Sequence, residues 1–360
     1  MEHKKASPPT YLSHCRRLNN HSGEEVLKAW VINGEGGVDG LKMVDRDIPK
    51  PGAGEILVRL KANSINYRDL STIKNAAARG IAGERIPNSD GAGVVEEVGA
   101  GVTEFSAGDR VVGTFFQNWL SGPIHDDVMP SALGGPIDGL LCEYALLKEG
   151  GALPIPAHLS FEEAATLPCA GLTAWHCLID GGKAGVGQTA LLLGTGGVSI
   201  FAQQIAKASG IRTILTSSSD EKLARAKSLG ANEVINYREH ANWEEKVLEL
   251  TDGHGVDLVV EVGGAGTLEK SVAAVRVGGR ISLVGVLTGG LMDPTSIMRK
   301  SITLQGIYVG PRDMFARLNN ALSNNNIHPV IDAVIDFQDA KEAYRIMEKA
   351  GHFGKVVITI

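Results

Sequence analysis

Long apolar runs are missing from this sequence. Apolar residues make up 43% of the 360 residues, but no uninterrupted run approaches the about 18 residues that a membrane-spanning helix needs. We therefore expect a globular protein with no membrane partner. A chain of this length is long enough for two domains with separate cores.

Clusters of positive charge are missing as well. The net charge is −6 at pH 7, and no basic block exceeds three residues. Proteins that bind nucleic acid neutralise phosphates with clustered Lys and Arg. Nucleic acid is therefore not expected as a partner.

Cysteine is scarce, and its spacing does not match a zinc-binding motif. The four cysteines, Cys15, Cys142, Cys169 and Cys177, form no CxxC pair. This pattern favours reduced thiols in the cytoplasm and argues against a structural zinc site. Residues 1–25 are polar and lack the apolar core of a secretory signal. We interpret them as a flexible extension, with an organelle-targeting segment as the alternative.

Glycine, in contrast, is abundant, with 45 of 360 residues against a usual share of roughly 7%. Between residues 26 and 113, short apolar or alternating segments are separated by Gly and Pro. The segments cover residues 26–32, 55–62, 91–98 and 109–113. This pattern predicts an irregular, mostly β domain.

The pattern changes near residue 160. Ser160 and Glu163 have the Ser-x-x-Glu spacing of a capping box at the start of a helix. Six apolar strands then alternate with helical segments, which predicts a parallel, doubly wound sheet. The strands are expected at 189–193, 213–217, 233–235, 256–262, 280–284 and 302–308. A helix at 339–349 and a strand at 355–360 follow, and we expect that strand to return to the N-terminal β domain.

A glycine turn, GTGGVS at 194–199, lies between the first of these strands and its helix. Gly194 and Gly196 allow a sharp turn and a close approach to a pyrophosphate, and the helix N-terminus favours the anion. Ser199 takes the last place of the G-x-G-x-x-G pattern. Because strand, turn and helix occur in the required order, we interpret the turn as a dinucleotide-binding loop. The alternative is a glycine-rich turn without a ligand.

The end of the second strand predicts which dinucleotide binds. An NAD site usually carries an acidic residue there, about 20 residues after the glycine turn, but this sequence reads LTSSS at 215–219. Ser217, Ser218, Lys222 and Tyr237 could surround a 2′-phosphate, which favours NADPH. The alternatives are that Asp220 serves as a displaced acid, or that Ser219 or Asp220 only caps the next helix.

Several motifs together resemble the medium-chain dehydrogenase/reductase superfamily. They are PKPGAGEILV (49–58), NSINYRDL (63–70), SDGAGVVEEVG (89–99), GDRV (108–111), AATLPCAGLTAW (164–175), the GTGGV turn and GKVVI (354–358). The resemblance covers about residues 28–360. It implies an α/β protein with a GroES-like, mostly β catalytic domain (26–155 and 310–360) and an inserted Rossmann domain (156–309), preceded by the extension 1–25.

The resemblance also bears on metal binding. Zinc-dependent members hold the catalytic metal with Cys, His and Cys, and the matching positions here are Asn66, Ser89 and Cys169, with Asp90 at the adjoining acidic position. One thiolate cannot replace the three protein ligands of a catalytic zinc site. Residues 115–139, where the structural-zinc lobe would fall, contain no cysteine. The chain is thus similar to the zinc-free quinone oxidoreductases and enone reductases, with no metal expected.

The same resemblance supplies candidate site residues. Asn66 and Tyr67 occupy the substrate-facing turn and are the expected catalytic hydrogen-bond donors. The alternatives are that Tyr67 packs within the β domain, that Asn66 forms an Asx turn, and that Arg68 and Asp69 pair as structural charges. The expected cofactor contacts are Thr173, Gly194, Thr195, Gly196, Gly197, Val198, Ser217, Ser218, Lys222, Tyr237, Val262, Gly263, Gly285, Val286, Tyr308, Val309 and Lys355.

Three functional hypotheses follow. The first is an NADPH-dependent oxidoreductase that transfers hydride to a quinone or an α,β-unsaturated carbonyl without zinc. The second is an NAD(P)-dependent alcohol or aldehyde dehydrogenase of the same family that acts without zinc, even if the family label is zinc-type. The third is a non-catalytic nucleotide-binding or structural protein. The resemblance further implies a homodimer formed along the last Rossmann strands, residues 280–308.

Overall fold

The computed structural model describes residues 26–34, 36–285 and 287–360. The expected extension 1–25 and the expected cofactor contact Val286 lie outside the described residues. The strands, in chain order, are β1 (Val26–Val31), β2 (Lys42–Asp47), β3 (Glu55–Ile65), β4 (Asp90–Val98), β5 (Arg110–Gly113), β6 (Tyr144–Lys148), β7 (Ala152–Pro154), β8 (Thr189–Leu193), β9 (Arg212–Ser217), β10 (Glu233–Asn236), β11 (Val256–Glu261), β12 (Val275–Leu283), β13 (Thr303–Gly306), β14 (Ile331–Asp336) and β15 (Lys355–Thr359).

The helices connect and flank these strands. They are α1 (Tyr67–Lys74), α2 (Phe161–Ala165), α3 (Leu172–Trp175), α4 (Gly197–Ala208), α5 (Asp220–Ser228), α6 (Trp243–Glu249), α7 (Ala265–Ala274), α8 (Thr295–Arg299), α9 (Arg312–Asn324) and α10 (Ala340–Lys349). Short 3₁₀ segments occur at Ala77–Arg79, Asp126–Ser131, Glu149–Gly151 and Phe337–Asp339, and π-helical turns at Leu167–Gly171 and His176–Asp180.

The second half of the chain forms the predicted parallel sheet. Its strand order is β10-β9-β8-β11-β12-β13, and every neighbouring pair is parallel. Residues 190–193 of β8 are all buried, because helices cover both faces of such a sheet. The strand order reverses between β8 and β11, which creates a crevice at the carboxyl ends of the strands.

The first half forms a mixed sheet in the order β14-β15-β3-β4-β5-β7, with β6 paired to β3 and a separate β1-β2 pair. Strand β3 runs three residues past its expected end at residue 62. The extra residues include the buried polar residues Asn63 and Ser64, which bond to backbone carbonyls of Asp90 and Val356. Two polar residues inside a strand interrupt its apolar pattern, so the end of the strand cannot be predicted from that pattern.

The C-terminal strand returns to this first sheet, as predicted. β15 pairs antiparallel with β3, with Val357 opposite Ser64. Just before β15, the Gly354 N–H donates to the Thr195 carbonyl at 2.9 Å. The end of the chain therefore contacts both the mixed sheet and the glycine turn of the parallel sheet.

The helix predicted to begin after Ser160 is present and capped as expected. The Ser160 Oγ accepts from the Glu163 N–H at 3.2 Å, and the Glu163 carboxylate accepts from the Ser160 N–H at 2.8 Å. The helical path continues through the two π-helical turns to Asp180. The first of these turns carries Cys169 towards the mixed sheet. Within the described residues, no helix is long and apolar enough to cross a membrane.

Candidate active site

The glycine turn leaves an open space in front of helix α4. Gly194 has φ +75°, a left-handed conformation that favours glycine, and Gly196 is the N-cap of α4. In the part of the chain that the structure describes, and apart from the adjacent residues, no atom lies within 4 Å of where a Cβ would stand on either residue. Ser199 is buried and donates its hydroxyl to the Leu193 carbonyl at 2.6 Å. The Gly194 N–H donates to the Thr216 hydroxyl at 3.2 Å, which holds the turn to the next strand. The open space at the start of α4 fits a dinucleotide pyrophosphate, because a helix N-terminus favours an anion.

Gly197, the first residue of α4, is constrained by a different neighbour. A Cβ on Gly197 would lie 2.7 Å from the Cδ of Lys355. The aliphatic part of Lys355 therefore passes directly over the start of the cofactor helix. Thr195, one of the expected contacts, is buried, and Val198 is half-buried.

The serines expected at the adenosine end lie where β9 ends. Ser217 is buried and accepts the Ser219 N–H at 3.4 Å, while its carbonyl accepts the Tyr237 N–H at 3.0 Å. Ser219 is the N-cap of α5 and accepts from the Lys222 N–H, which confirms the capping alternative for Ser219. Ser218 and Lys222 are half-buried beside this strand end.

Asp220, the acid considered as a displaced ribose ligand, is already engaged. Its carboxylate accepts from the Asn236 side-chain amide at 2.8 Å, on the neighbouring strand β10. Tyr237 follows that strand and is 41% exposed. Apart from Asp220, the polar side-chain groups considered at the tip of β9 are thus the hydroxyls of Ser217 and Ser218 and the ammonium of Lys222.

The far wall of the crevice is built on a buried carboxylate that the sequence did not single out. Glu261, at the end of β11, accepts hydrogen bonds from the N–H groups of Gly263 (2.7 Å) and Gly264 (3.1 Å) and from the Thr267 hydroxyl (2.7 Å). It therefore fixes the loop that contains the expected contacts Val262 and Gly263. The only sign of it in the sequence was an acid at the end of an apolar strand.

Three further expected contacts lie on other elements around the parallel sheet. Gly285 allows close approach of two strand ends, because a Cβ there would collide with the Val262 carbonyl. Thr173 is buried in α3, which packs on α4. Val309 has φ +57°, and its carbonyl contacts the His176 ring at 2.6 Å.

Tyr308 connects the two halves of the protein through aromatic contacts. Its ring packs edge-to-face on Phe115 and Phe116, with ring centroids 5.8 and 5.2 Å away. Both phenylalanines are buried, whereas Tyr308 is 42% exposed. Phe115 and Phe116, from the segment 115–139 expected as a loop, thus form an aromatic wall with Tyr308, which follows β13.

The NYRD turn places Asn66 and Tyr67 at the start of α1. The Asn66 N–H donates to the Asp69 carboxylate at 2.8 Å, and the Asn66 side chain accepts a hydrogen bond from the Lys355 ammonium. Asn66 is 6% exposed, and Tyr67 is 42% exposed. Asn66 is the N-cap of α1 and forms a capping box with Asp69, so a local cap accounts for part of its role. The partner of its side chain, Lys355, is 289 positions away in sequence, and this contact was not expected.

Arg68 and Asp69 form the structural ion pair considered as an alternative. Their closest atoms are 3.1 Å apart, and Arg68 also donates to the Leu133 carbonyl at 2.7 Å and stacks over the Phe115 ring. Burial raises the pKa of Asp69, with the Arg68 charge opposing this rise. The pair therefore holds α1 against the segment that carries the aromatic wall.

Asp90 is the central buried acid of the site. It accepts hydrogen bonds from the Ser89 hydroxyl at 2.7 Å and from the Cys169 N–H at 3.1 Å. Burial raises the pKa of Asp90 to about 6, and the Lys355 charge opposes this rise. The sequence suggested Asp90 only as the match to a family acid, not as the group that joins β4 to the Cys169 turn.

Lys355 completes the cluster from the C-terminal strand. It is 3% exposed, and its ammonium donates to the Ile65 carbonyl at 2.7 Å as well as to Asn66. Burial lowers the pKa of Lys355, while the negative charges of Asp90 and Asp69 oppose this. Its position was expected from the GKVVI motif as a cofactor contact, but its bond to Asn66 was not.

The donor set does not fit a catalytic zinc ion. The three matched positions supply an amide, a hydroxyl and one thiol, whose pKa is raised by burial. Asp90 lies nearby, but its oxygens already accept from Ser89 and Cys169. Across residues 26–360, with the gaps noted above, no group of three or more His, Cys, Asp and Glu side chains could hold a metal ion. Zinc needs three protein ligands of this kind.

The crevice and the adjoining buried cluster together define a dinucleotide-dependent oxidoreductase. Comparisons with known families agree. The family described as "Alcohol dehydrogenase GroES-like domain" matches residues 52–157, and "Zinc-binding dehydrogenase" matches residues 197–324. A zinc-type alcohol dehydrogenase-like protein of Schizosaccharomyces pombe is 42% identical over 92% of this chain and 99% of its own. The quinone oxidoreductase of Rattus norvegicus is 27% identical over 94% of this chain and 99% of its own.

Solved structures are similar over nearly the whole chain. A protein from Sinorhizobium meliloti 1021, classed as an alcohol dehydrogenase, has a TM-score of 0.87 at 40% identity and covers 93% of this chain and 99% of its own. An NAD-dependent alcohol dehydrogenase has a TM-score of 0.85 at 34% identity, covering 92% and 99%. A mycobacterial protein in complex with NADPH has a TM-score of 0.78 at 28% identity, covering 93% and 100%.

The chain therefore belongs to the medium-chain dehydrogenase/reductase superfamily and is an NAD(P)-dependent oxidoreductase. The α/β fold expected from the sequence, with a GroES-like part and a Rossmann sheet, is confirmed.

Proposed function

We propose that this protein transfers hydride from NADPH to a quinone or an α,β-unsaturated carbonyl, without zinc. The observation that carries the proposal is the Asn66 side chain. It occupies a metal-ligand position of zinc-dependent relatives, its oxygen is held by Lys355, and its Nδ2 is buried beside the Asp90 carboxylate with no partner at direct hydrogen-bond geometry in the described chain. A buried donor of this kind suits a substrate oxygen.

In this proposal, bound NADPH supplies the hydride, and the protein supplies position and electrostatics. The Asn66 Nδ2 and the exposed Tyr67 hydroxyl donate hydrogen bonds to the acceptor oxygen. A conjugated acceptor spreads negative charge over its π system, so it needs less polarisation than a simple ketone. Two neutral donors are therefore better matched to quinones and enones than to unactivated carbonyls.

We propose NADPH rather than NADH because of the polar groups at the tip of β9. Ser217, Ser218 and Lys222 surround the place where an NAD enzyme carries an acid. No hydrogen bond or ion pair of the Lys222 ammonium occurs within the described chain, so it is free for a phosphate. The other proposed contacts are Thr173, the 194–198 turn, Tyr237, the 262–263 loop, Gly285, Tyr308 and Val309.

An alcohol or aldehyde dehydrogenase is the second candidate. It is favoured by the 42% identity to a zinc-type alcohol dehydrogenase-like protein. The amide, hydroxyl and single thiol at the metal positions count against the metal-dependent form of this chemistry. A non-catalytic nucleotide-binding protein would need the open glycine turn but not the Asn66 donor.

The deciding experiment is cofactor oxidation by purified protein of known metal content. NADPH and then NADH are offered with a quinone, an enone and a simple aldehyde. Faster loss of NADPH with the quinone or enone, at less than one zinc per ten chains, supports the proposal. Turnover only with the aldehyde, or only after zinc is added, favours the second candidate. Cofactor binding without turnover favours the third.

We also propose a cytoplasmic homodimer, with subunits joined along the edge strand β13. Three apolar side chains in or next to the sequence range 280–308 are strongly exposed, namely Val277 (68%), Leu291 (98%) and Met298 (70%). A dimeric mass at micromolar concentration, reduced to a monomeric mass by Leu291→Glu, is the expected result. A monomeric wild type contradicts the dimer. The three described cysteines are free, as suits a reducing compartment.

A further inference from the structure

We propose that Lys355 is a positioning residue that does part of the work of the absent metal. Its buried ammonium fixes the Asn66 amide so that Nδ2 donates to the substrate oxygen. The inference rests on the proposed function for the identity of the acceptor. The orientation of Asn66 itself rests only on the contacts described here.

The residues at the positions that ligate zinc in metal-dependent relatives converge on Lys355 and Asp90. The Ser89 hydroxyl and the Cys169 N–H both bond to the Asp90 carboxylate. Lys355 bonds to Asn66, and its charge acts on both Asp90 and Cys169. A buried organic cation therefore lies among the positions that ligate zinc in metal-dependent relatives.

The Lys355 ammonium fixes the orientation of the Asn66 amide. An ammonium has three donors and no acceptor, so only the Asn66 Oδ1 can face Lys355. Nδ2 must then point away from the lysine. It faces the Asp90 carboxylate, and this weak polar contact lowers the pKa of that carboxyl, but no atom of the described chain accepts from Nδ2 at direct hydrogen-bond geometry. A buried amide donor with only this weak contact is available to an acceptor that arrives from outside.

The ammonium charge of Lys355 makes Asn66 a stronger hydrogen-bond donor. A cation bonded to Oδ1 withdraws electron density from the amide, and hydrogen bonds in series strengthen one another in a low-dielectric interior. Nδ2 is therefore a stronger donor to a developing oxyanion than an isolated amide is. Asp90 and Asp69 counter the lowering of the Lys355 pKa by burial, which favours the charged form of the lysine.

Lys355 also links the substrate donor, Asn66, to the cofactor loop. The aliphatic part of Lys355 crosses Gly197 at the start of α4, and its neighbour Gly354 bonds to the Thr195 carbonyl. One side chain thus spans the distance from the dinucleotide turn to the substrate-facing turn. Its geometry sets the position of the donor relative to the proposed cofactor.

The variants that test this are Lys355→Met, which removes the charge, Lys355→Arg, which keeps it, and Asn66→Ala, which removes the donor. Lys300→Met is the matched control, since that ammonium also donates to backbone carbonyls (Val272, Ala273 and Val275) but outside this cluster. For each variant we would measure kcat and KM with the best acceptor, the Kd of NADPH by fluorescence, and the melting temperature.

We expect Lys355→Met to lower kcat by about 10- to 100-fold, below the loss of roughly 10²- to 10³-fold seen when an oxyanion donor is itself removed. Lys355→Arg should recover most of that loss, and Lys300→Met should leave kcat unchanged. In the Asn66→Ala background, Lys355→Met should cost less than threefold more, because residues that act through one contact are not additive.

Two results would overturn the inference. A weaker Kd for NADPH with unchanged kcat in Lys355→Met would make Lys355 a cofactor ligand, as first expected from the sequence. Fully additive losses in the double variant would separate Lys355 from Asn66. If Lys355→Met does not fold, Lys355→Gln replaces it, since its amide keeps the stem but carries no charge.

A readout without turnover separates this inference from the proposed function. In protein labelled with ¹⁵N at asparagine side chains, the Asn66 signal is the one lost in Asn66→Asp. It should shift in Lys355→Met and remain nearly in place in Lys300→Met. If no acceptor is turned over but this shift occurs, the proposed function fails and the positioning of Asn66 stands. An unshifted signal refutes the positioning, whatever the activity.

Discussion

Lys355 and Gly197 are in direct contact, because any Cβ on Gly197 would lie 2.7 Å from the lysine Cδ. The contact joins the C-terminal strand to the first residue of the cofactor helix. It explains a glycine that the dinucleotide pattern alone does not require, since Gly197 occupies a variable place in G-x-G-x-x-G.

The first prediction compares Gly197→Ala with Gly196→Ala. Gly197→Ala crowds Lys355, and overpacking of this kind costs about 1–3 kcal/mol of stability. Gly196→Ala meets no atom within 4 Å, so the melting temperature should hardly change, but its methyl group fills the space proposed for the pyrophosphate. Thermal melting and NADPH titration check both. Equal melting temperatures for the two variants would contradict the contact.

The second prediction concerns the pH dependence of stability due to Asp90. Its pKa is raised from 3.8 to about 6, so between these values the folded state binds more protons than the unfolded state. Stability therefore falls, through this group, as the pH rises from about 4 to 6. Asp69, whose pKa is also raised, acts in the same direction.

Asp90→Asn isolates that effect, because an amide can still accept from Cys169 and donate to Ser89. Melting temperatures of wild type and variant are measured from pH 4 to pH 8. The difference, wild type minus variant, should become less favourable to the wild type as the pH rises to about 6 and then level off. A difference that does not vary with pH would show that the Asp90 pKa is not raised.

The third prediction is that His352 acts with the opposite sign. Its pKa is lowered to about 4, first by burial and then by the charges of Lys355 and Lys222, and its Nδ1 is buried with no hydrogen-bond partner among the described residues. Between about 4 and 6.5 the unfolded state binds more protons, so stability rises with pH. His352→Gln should remove this rise, as seen in the same melting series. A steeper rise in the variant would exclude this assignment.

The fourth prediction tests cofactor choice. Lys222→Ala should raise the KM for NADPH about tenfold, which corresponds to the loss of one charge-assisted phosphate contact, and leave the KM for NADH unchanged. Lys227→Ala is the control, because Lys227 lies on the same helix but bonds to the Asn232 carbonyl and pairs with Glu233. Equal effects on both cofactors would remove Lys222 from the 2′-phosphate site.

Much of the fold was predictable from local pattern. The six parallel strands, the glycine turn and the Ser160 capping box all depend on neighbouring residues, and all are present. β14 was missed although its sequence, IDAVID, alternates between half-buried and exposed positions. It lies at the sheet edge, where the apolar contrast is weak. The last three residues of β3 could not be predicted from an apolar pattern either, since Asn63 and Ser64 are buried polar residues that bond to distant backbone carbonyls.

The site was predictable only in part. Asn66, Ser89 and Cys169 could be matched to metal positions, and the loss of two ligand types could be read from residue chemistry alone. The roles of Glu261 and Asp90 could not, because each depends on hydrogen bonds that form only when strands and turns are assembled. His352 carried no sequence signal at all.

The sequence by itself determined the alternation of strands and helices, the phosphate-binding turn and the absence of a zinc ligand set, because each depends on residue type and short spacing. The tertiary structure decided how those parts act together. It brings Lys355 to Asn66 across 289 positions and passes its side chain over Gly197. Only the return of the last strand to β3 makes that contact, since the packing of distant segments is not encoded in any local pattern.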